Sequence, residues 1–299
     1  MMMPSSPSDL IAAKGIAIVA PVFNEGAGLK SFVNDLHHAM KDYSFPLEIV
    51  FIDDGSTDDT AAILREEQFT VIQHETNRGY GAAIKTGIEN TSGEIIVIID
   101  ADGTYPADEI PQIVDHMDRY DMVVGARTGE VVNIPLLRRP AKWLIRLFAA
   151  WMVRRSIPDL NSGLRAFRRG AVEPIVRLLP DGFSLTTTMT VAFHTQGRKV
   201  YYKPISYRKR AGQSKFRPFA DTWNMILLIL RTVVLIRPLN VFIPLSLFLA
   251  GLALAVLIIS KLMGQFMDAT FIVLMMTSIQ MFVLGLIADL IVRINLWTH

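Results

Sequence analysis

Two long uncharged stretches near the C-terminus constrain the fold of this chain more than any other feature. No Asp, Glu, Lys or Arg occurs from Pro238 to Ser260, and again none from Ala269 to Ala288. Each stretch is about as long as the roughly 20 residues that a helix needs to cross a hydrocarbon core of about 30 Å. The two lie close together in the chain, so the sequence predicts a transmembrane helical hairpin with helices at about 239–260 and 269–292. Two buried core helices are the alternative.

The distribution of basic residues predicts how this hairpin is oriented. Arg293 follows the second stretch, whereas the turn between the stretches carries only Lys261 and Asp268 as charged residues. Because loops rich in Lys and Arg stay on the cytoplasmic side, we expect an integral membrane protein with the preceding domain and both chain ends in the cytoplasm. Residues 1–14 lack the apolar run of a signal peptide and are expected to be a flexible N-terminus. The basic residues before the first stretch are Arg208, Lys209, Arg210, Lys215, Arg217, Arg231 and Arg237.

Net charge and cysteine content narrow the choice of partners. The 299 residues carry a net charge of +2, too small to indicate nucleic-acid binding, and include no cysteine, which fits a reducing compartment. The basic residues cluster near the hairpin, where anionic headgroups or a lipid phosphate would attract them. We therefore expect a lipid bilayer, and no nucleic acid, as a partner.

The first half of the chain alternates short apolar runs with helical patterns, which is typical of an α/β domain with a mostly parallel sheet. The sequence predicts this domain over residues 15–216, a juxtamembrane helix at 217–237 and the hairpin at 238–293. The predicted strands are Gly15–Ala20, Leu47–Ile52, Phe69–Gln73, Glu94–Ile99, Met122–Gly125 and Lys199–Tyr207. Helices are predicted near 29–43, 58–68, 80–90, 109–119, 138–155 and 221–236.

The predicted helix at 138–155 is amphipathic and basic. It either packs on the core or lies at a membrane surface, as basic helices that carry Trp often do. Its predicted apolar side consists of Trp143, Leu144, Leu147, Phe148 and Trp151.

Polar clusters follow the predicted strands where those strands end, at Pro21–Glu25, Asp53–Ser56 and Asp100–Asp102. Ligands of open α/β sheets bind outside the carboxyl ends of the strands, so we expect a binding site at this edge. At the end of a strand, Asp100 and Asp102 can both reach one cation, and Mg²⁺ and Mn²⁺ prefer such oxygen ligands. A solvated acidic turn is the alternative for this pair.

Motifs of several other protein classes are missing. The first strand is not followed by GxGxxG, and the chain contains neither GxxxxGK[ST] nor HExxH. These absences argue against a dinucleotide-binding domain, a P-loop and a zinc protease of that type. We expect His37 and His38 to be solvated and His194 to be packed rather than catalytic.

Seven motifs occur in an order that points to one enzyme family. They are Ala20–Glu25 (APVFNE), Asp53–Asp58 (DDGSTD), Asn77–Gly81 (NRGYG), Asp100–Asp102 (DAD), Val124–Arg127 (VGAR), Asp159–Arg165 (DLNSGLR) and Arg210–Lys215 (RAGQSK). With them the chain resembles the inverting family 2 glycosyltransferases, and within these the dolichol-phosphate mannose synthase branch of polyprenyl-phosphate glycosyltransferases. The resemblance spans about residues 15–217. It implies a Rossmann-like, mostly parallel GT-A catalytic domain followed by a C-terminal transmembrane hairpin.

The resemblance implies roles for individual residues. Asp100 and Asp102 would hold a divalent cation, Mg²⁺ or Mn²⁺, against the donor diphosphate. Thr104 departs from the mannose synthases, which often have a Gln ligand there, so neither mannose nor GDP follows for the donor. The catalytic positions are Asp102, Asp159 and Arg127, and the donor-binding positions are Pro21, Asn24, Glu25, Asp53, Gly79, Lys85, Asp100 and Ala101. The groups expected at the acceptor phosphate or the donor diphosphate are Arg127, Ser162, Arg165, Arg210, Ser214 and Lys215.

The reaction implied is inverting transfer of a sugar from a UDP- or GDP-sugar to polyprenyl or dolichyl phosphate. A phosphate monoester has a second pKa of about 6 and is already largely charged near neutrality, so the acceptor can be its own nucleophile. The enzyme then has to position the reactants and neutralise charge. Tetramers occur among relatives, so a homo-oligomer is compatible with the resemblance.

Three alternatives remain. An enzyme that glycosylates a hydroxyl group of a glycolipid or protein would need a base, for which Asp159 is the candidate. A processive polysaccharide synthase normally carries a QxxRW segment and further spans, neither of which is present here. A catalytically silent subunit would bind nucleotide-sugar or lipid without turnover, and the intact acids Asp100, Asp102 and Asp159 argue against it.

Overall fold

One seven-stranded sheet forms the centre of the first domain. The structure, a computed structural model, describes residues 15–41, 43, 46–128, 139–208, 218–264 and 268–297. The predicted N-terminal segment 1–14 lies outside these residues. The strands are β1 (Ile16–Val22), β2 (Leu47–Asp53), β3 (Thr70–Gln73), β4 (Ile95–Ile98), β5 (Met122–Ala126), β6 (Arg165–Arg168) and β7 (Val200–Pro204).

The strand order is β3-β2-β1-β4-β6-β5-β7. Strand β1 pairs in parallel with both β2 and β4, β2 pairs in parallel with β3, and β5 pairs in parallel with β7. Strand β6 is antiparallel to β4 and β5, between which it lies. The prediction of a mostly parallel α/β sheet is therefore confirmed. The carboxyl ends of β1, β2, β4 and β5 and the start of β6 share one edge.

Helices cover both faces of the sheet and continue into the C-terminal hairpin. They are α1 (Gly26–Met40), α2 (Thr60–Glu66), α3 (Tyr80–Glu89), α4 (Glu109–Val114), α5 (Arg139–Val153), α6 (Arg169–Val172), α7 (Leu185–Thr195), α8 (Pro218–Ile236), α9 (Leu239–Leu262) and α10 (Asp268–Trp297). Short 3₁₀ helices follow α4 at Asp115–Asp118 and α6 at Glu173–Leu178.

The core consists of two apolar layers, one on each face of the sheet. In β4, Ile95 and Val97 face the layer that contains α1 and α4, whereas Ile96 and Ile98 face the layer that contains α3 and α7. All four residues of β4 are buried. This pattern is expected of a central strand covered by helices on both sides, and it fixes the position of the acidic segment that follows.

Strand β6, helix α6 with the 3₁₀ helix that follows it, and helix α7 were not predicted from the sequence. Strand β6 has the sequence RAFR. Because two of its four residues are arginines, it lacks the apolar run by which a central strand is predicted. Helix α7 has the sequence LTTTMTVAFHT and is buried on almost all sides, so it lacks an amphipathic period. Its five Thr residues also have a low helix propensity, and tertiary packing overrides that preference.

Helix α5 packs on the core with a face that differs from the predicted one. Ile145, Ala149 and Met152 are buried in a third apolar cluster with α8. Leu147 and Trp151 are 50% and 64% exposed. The sequence left open whether the side with Leu147 and Trp151 packs on the core or lies at a membrane surface, and these two residues do not pack on the core. The side chains of Trp143 and Leu144 lie outside the described part.

Helices α9 and α10 pack against each other as a hairpin. Their apolar segments, Leu239–Leu262 and Ala269–Ile294, have mean hydropathies of 2.7 and 2.3 and are long enough to cross a membrane. Only 11% of each apolar window is buried, so they are not the core helices of a soluble domain. The two helices approach each other closely at two places. Ser278 Oγ donates to Ser246 O at 2.8 Å, and a Cβ on Gly285 would lie 2.6 Å from Phe242 Cβ.

Candidate active site

The polar segments predicted from the sequence meet at the carboxyl edge of the sheet. The loops that follow β1 and β2 are joined by side-chain hydrogen bonds. Asn24 Oδ1 accepts from Thr57 N at 2.8 Å, and Asn24 N donates to Ser56 Oγ at 3.0 Å. Asn24 has a φ of 55°, a conformation that Asn tolerates better than most residues. The predicted donor-binding residues Pro21, Asn24, Glu25 and Asp53 therefore lie in adjoining segments.

Asp53 carries a buried oxygen with an unused hydrogen-bonding capacity. The residue is fully buried, and its Oδ1 accepts from Ser56 N at 2.9 Å. Its Oδ2 is buried without a hydrogen-bond partner among the described residues. An unsatisfied buried carboxylate oxygen is costly, so this atom is suited to accept an N–H or O–H from a ligand.

Asp54 organises the next loop together with a histidine that sequence reasoning did not single out. Asp54 Oδ1 lies 2.7 Å from His74 Nδ1, and His74 Nε2 lies 3.0 Å from Thr86 Oγ1. Asp54 also accepts from Arg78 N at 2.9 Å and from Gly79 N at 2.8 Å. The first residues of the NRGYG motif are thus fixed against the end of β2. Only the position of His74 directly after β3 could have indicated this role.

The loop at 179–182 closes over the start of α3. Asp181 O accepts from Gly81 N and Ala82 N, and Lys85 Nζ donates to Leu179 O at 3.2 Å and pairs with Asp181. The predicted donor residue Lys85 is therefore engaged with this loop. Gly79 is required at its position, since its φ is 102° and a Cβ would lie 2.6 Å from Asp181 O.

Asp100 is held from two sides. Tyr80 Oη donates to Asp100 Oδ1 at 2.8 Å. Burial and the Asp100 charge raise the pKa of Tyr80 well above its ordinary value, so the hydroxyl keeps its proton. On the other side, a Cβ on Gly163 would lie 2.1 Å from Asp100 Oδ2. The DLNSGLR segment can approach this carboxylate only because position 163 is glycine.

Asp102 is oriented by the residue at which the chain departs from the mannose synthases. Thr104 is 2% exposed, and its Oγ1 and N donate to Asp102 Oδ1 at 2.6 Å and 3.1 Å. The short hydroxyl side chain therefore binds the carboxylate itself. Ala101, between the two acids, is buried in the core.

These two carboxylates fit a divalent cation that is shared with a substrate. Within the described residues, no group of three or more His, Asp or Glu side chains is arranged to hold a metal. Mg²⁺ is commonly bound through one or two carboxylates together with substrate phosphates and water. The half-buried pair of Asp100 and Asp102 matches that donor set, whereas a closed all-protein site would not.

Arg127 and Asp159 form an ion pair beside this acidic segment. Asp159 Oδ2 accepts from Arg127 Nε at 2.7 Å and from Arg127 N at 3.0 Å, and Oδ1 accepts from Arg127 Nη2 at 2.9 Å. Asn161 N also donates to Oδ1, at 3.1 Å. Burial alone would raise the pKa of Asp159, but the hydrogen bonds and charge of Arg127 hold it below its ordinary value. The guanidinium also lies 5.3 Å from the centre of the Tyr207 ring.

Arg165 lies inside the domain rather than at the open edge. It is fully buried; its Nε donates to Ser162 O at 3.1 Å, and its Nη1 donates to Thr186 O and Thr190 Oγ1, each at 3.0 Å. Ser162 is buried as well, and its Oγ donates to Gly125 O at 2.6 Å. Both side chains bind the protein's own backbone and shape the DLNSGLR segment.

Three predicted acceptor positions and the histidines remain to be located. Arg210, Ser214 and Lys215 lie outside the described residues. Of the histidines, His194 is packed: its Nε2 lies 2.9 Å from Tyr202 Oη, and burial lowers its pKa to about 4. His37 stacks on Phe69 with ring centres 4.9 Å apart.

Two family models match the chain. The model of glycosyl transferase family 2 matches residues 17–176, and that of the GtrB C-terminal hairpin matches residues 237–294. A dolichyl-phosphate hexose transferase of Haloferax volcanii is 30% identical over 207 residues, which cover 69% of this chain and 88% of that protein. An undecaprenyl-phosphate 4-deoxy-4-formamido-L-arabinose transferase of Yersinia enterocolitica is 31% identical over 199 residues, which cover 61% of this chain and 60% of that protein.

Solved structures show the same fold at low sequence identity. Glucosyl-3-phosphoglycerate synthase of Mycobacterium tuberculosis, crystallised with Mn²⁺, UDP and phosphoglyceric acid, has a TM-score of 0.61 at 21% identity and covers 75% of this chain and 80% of its own. A crystal structure of the same enzyme in complex with Mg²⁺ and UDP has a TM-score of 0.58 at 22% identity. It covers 75% of this chain and 81% of its own. The GT-A fold predicted for this chain is confirmed.

Proposed function

This chain belongs to glycosyl transferase family 2, and we propose that it transfers a sugar from a nucleotide-diphosphate sugar to the phosphate of a polyprenyl or dolichyl phosphate. The names of the similar proteins from Haloferax and Yersinia support a polyprenyl-phosphate acceptor. The match of residues 237–294 to the GtrB hairpin supports a reaction at a membrane, where such a lipid is found.

The hydrogen bonding of Asp159 is the observation that carries the choice of acceptor. A hydroxyl acceptor needs a general base, and Asp159 was the candidate for it. Both of its oxygens accept hydrogen bonds, including two from the guanidinium of Arg127, and its pKa is lowered. A carboxylate with these properties is a weak base. A phosphate acceptor requires no base, so the geometry favours it over the hydroxyl acceptor.

The reaction we infer requires no proton transfer. An oxygen of the acceptor phosphate forms a bond to the anomeric carbon while the bond from that carbon to the donor diphosphate breaks. The nucleoside diphosphate leaves with the bonding electron pair. Attack from the opposite face inverts the anomeric carbon. The protein's contribution is to align the two reactants and to stabilise the charge on the leaving group.

We assign the nucleoside to the β1 and β2 loops and the diphosphate to the end of β4. The buried Oδ2 of Asp53 would accept a hydrogen bond from the nucleoside, beside Pro21, Asn24 and Glu25. Asp100 and Asp102 would bind Mg²⁺ or Mn²⁺, and a bound cation would stabilise the departing diphosphate. Gly79 and Lys85 would act through the loops that they fix.

The residues assigned to the acceptor fall into two roles. Arg127 would contact the acceptor phosphate while Asp159 holds its guanidinium in place. Arg165 and Ser162 are positioning residues, because their polar groups bind the backbone. Arg210, Ser214 and Lys215 would supply further phosphate contacts, a role that rests on the sequence alone.

We further propose that residues 15–216 are the transferase domain, 217–237 a juxtamembrane helix and 238–293 the membrane hairpin. The positive charge before the hairpin supports a cytoplasmic catalytic domain and cytoplasmic chain ends. A homo-oligomer remains a proposal from the family resemblance. UDP and GDP donors are both compatible with the Asp53 site.

A transfer assay tests this function. Purified full-length protein in detergent is given radiolabelled UDP- and GDP-sugars and a short polyprenyl phosphate, with Mg²⁺, with Mn²⁺ or with EDTA. We expect a chloroform-soluble product that needs the metal, disappears in Asp102→Asn and persists in the surface variant Asp118→Asn. Hydrolysis of the donor without a lipid product would reject the acceptor, and failure with every donor would favour the silent subunit.

A further inference from the structure

A cavity of about 550 Å³ lies between the catalytic domain and the membrane hairpin. The domain contributes Lys199 and Arg198, which directly precede β7. The other side is formed by Arg237, which lies between α8 and α9, and by Val292 near the end of α10. Arg237 and Val292 mark the same end of an antiparallel hairpin, where the chain leaves the membrane. The cavity therefore lies at the level of the lipid headgroups.

This cavity is distinct from the candidate active site. Lys199 and Asp121, which also lines it, precede β7 and β5 and so lie at the amino ends of these parallel strands. Arg127 lies at the other end of β5. Asp121 and Arg127 are six residue steps apart along the strand, which at about 3.3 Å for each step is a span of about 20 Å. A ligand in this cavity would not be in contact with the acidic segment after β4.

The charge of the lining is positive and only partly compensated. Asp121 Oδ1 lies 3.9 Å from Arg198 Nη1, and Asp121 Oδ2 accepts from Lys199 N at 2.8 Å. No carboxylate among the described residues lies within ion-pair distance of the side chains of Lys199 or Arg237. Arg237 and Lys199 are both exposed. Two cations thus remain available to an anion.

Apolar side chains line the cavity from the 3₁₀ helix after α6 and from the end of α8. Leu178 and Leu235 line it and are 46% and 43% exposed. Exposed leucines next to uncompensated cations, at the end of a membrane hairpin, match a molecule that has an anionic head and apolar chains. Clusters of Lys and Arg at this level of a membrane protein attract anionic lipid.

We propose that this cavity binds an anionic phospholipid of the bilayer, with its phosphate between Lys199 and Arg237 and its acyl chains along Leu178 and Leu235. The bound lipid would join the catalytic domain to the hairpin and fix the height of the domain above the membrane. This role is independent of the transfer reaction and requires only that the hairpin lies in a bilayer.

Native mass spectrometry of the detergent-purified full-length protein tests the proposal. The probe is phosphatidylglycerol, with phosphatidylcholine of the same chains for comparison. Each cation near a membrane surface contributes about 1 kcal/mol to anionic-lipid binding, a factor of about five, so Lys199→Gln/Arg237→Gln should weaken phosphatidylglycerol binding about 25-fold. The swap Lys199→Arg/Arg237→Lys should keep it. The control Lys30→Gln/Lys41→Gln removes the same charge from the exposed surface of α1 and its end and should leave binding unchanged.

Three results would overturn the proposal. Equal weakening in the control would mean that net charge, not this cavity, attracts the lipid. Equal binding of phosphatidylcholine would mean that the apolar wall alone binds lipid. Stoichiometric displacement of phosphatidylglycerol by a short polyprenyl phosphate would make the acceptor the occupant. Since lipid binding and not transfer is measured, the outcome does not depend on the proposed function.

Discussion

The guanidinium of Arg127 and the carboxylate of Asp159 form a two-point ion pair, with Nε to Oδ2 at 2.7 Å and Nη2 to Oδ1 at 2.9 Å. The pair joins the end of β5 to the DLNSGLR segment. Its side chains are 23% and 10% exposed, so it is shielded from most of the solvent. The same bonds that hold Arg127 in place also make Asp159 a poor base.

Asp159→Asn should lower kcat about 100-fold, because Arg127 loses its fixed orientation, while the shape of the pH profile stays the same. The folded pKa of Asp159 lies below its ordinary value, so the ion pair is complete above about pH 4 and is lost only as the pH falls through that folded value. Activity should instead decline below about pH 6, where the acceptor phosphate gains a proton. Rates from pH 5 to 8 check this. Loss of the acidic limb in Asp159→Asn would identify Asp159 as the titrating base.

Thr104→Val should lower kcat/KM at least about tenfold, because Asp102 loses a hydrogen bond to a charged oxygen worth about 1.5–3 kcal/mol. Val keeps the shape of the side chain, so the fold should be retained. Thr104→Ser restores the hydroxyl and should recover most of the activity. The check is steady-state transfer at saturating metal. Equal activity of the Val and Ser variants would contradict the assigned role of Thr104.

Tyr80→Phe should raise the metal concentration needed for half-maximal activity about tenfold, because Asp100 loses the hydrogen bond that fixes its Oδ1. The ring contact with Phe183, at 5.4 Å between centres, is kept. A Mn²⁺ titration of activity measures the effect. Tyr120→Phe, in a tyrosine that stacks on Tyr201, is the control. A lower kcat at unchanged metal dependence would separate Tyr80 from the metal site.

Asp53→Asn should raise the KM for the donor about tenfold without lowering the Tm. The Oδ2 atom of Asp53 is buried without a partner among the described residues, so neutralising the carboxylate removes a desolvation cost while it weakens a ligand contact. Donor titrations and thermal melts check the two effects separately. A fall in Tm together with an unchanged KM would show that Asp53 is structural only.

Arg165→Met should destabilise the protein by about 3 kcal/mol and leave the acceptor KM of the folded fraction unchanged. The substitution leaves Ser162 O without its guanidinium donors and removes one of the donors to Thr186 O, which keeps the hydrogen bond from Thr190 Oγ1. Arg177→Met, at an exposed position, is the control, and thermal melts with acceptor titrations are the measurements. An unchanged Tm with a raised acceptor KM would make Arg165 a phosphate ligand.

The sequence predicts most of the sheet because its strands are short apolar runs, and it predicts the acidic edge because Asp53 and Asp100 directly follow such runs. Strand β6 was not predicted, because Arg165 and Arg168 are the first and last residues of a four-residue strand and leave only two apolar residues between them. The same cause makes Arg165 resemble a surface ligand, although its guanidinium is satisfied inside the domain. The contact of His74 with Asp54 depends on the pairing of β2 with β3, which no local pattern contains.

The comparison of two acceptors that differ in one group tests the central claim most directly. A short polyprenyl phosphate and the matching polyprenol are given to the full-length protein with the same nucleotide-sugar and Mn²⁺, and the labelled lipid is measured from pH 5 to 8. We predict rapid transfer to the phosphate and none above background to the alcohol, with the rate rising through the phosphate pKa near 6. Transfer to the alcohol at a comparable rate would contradict the account and return Asp159 to the role of general base.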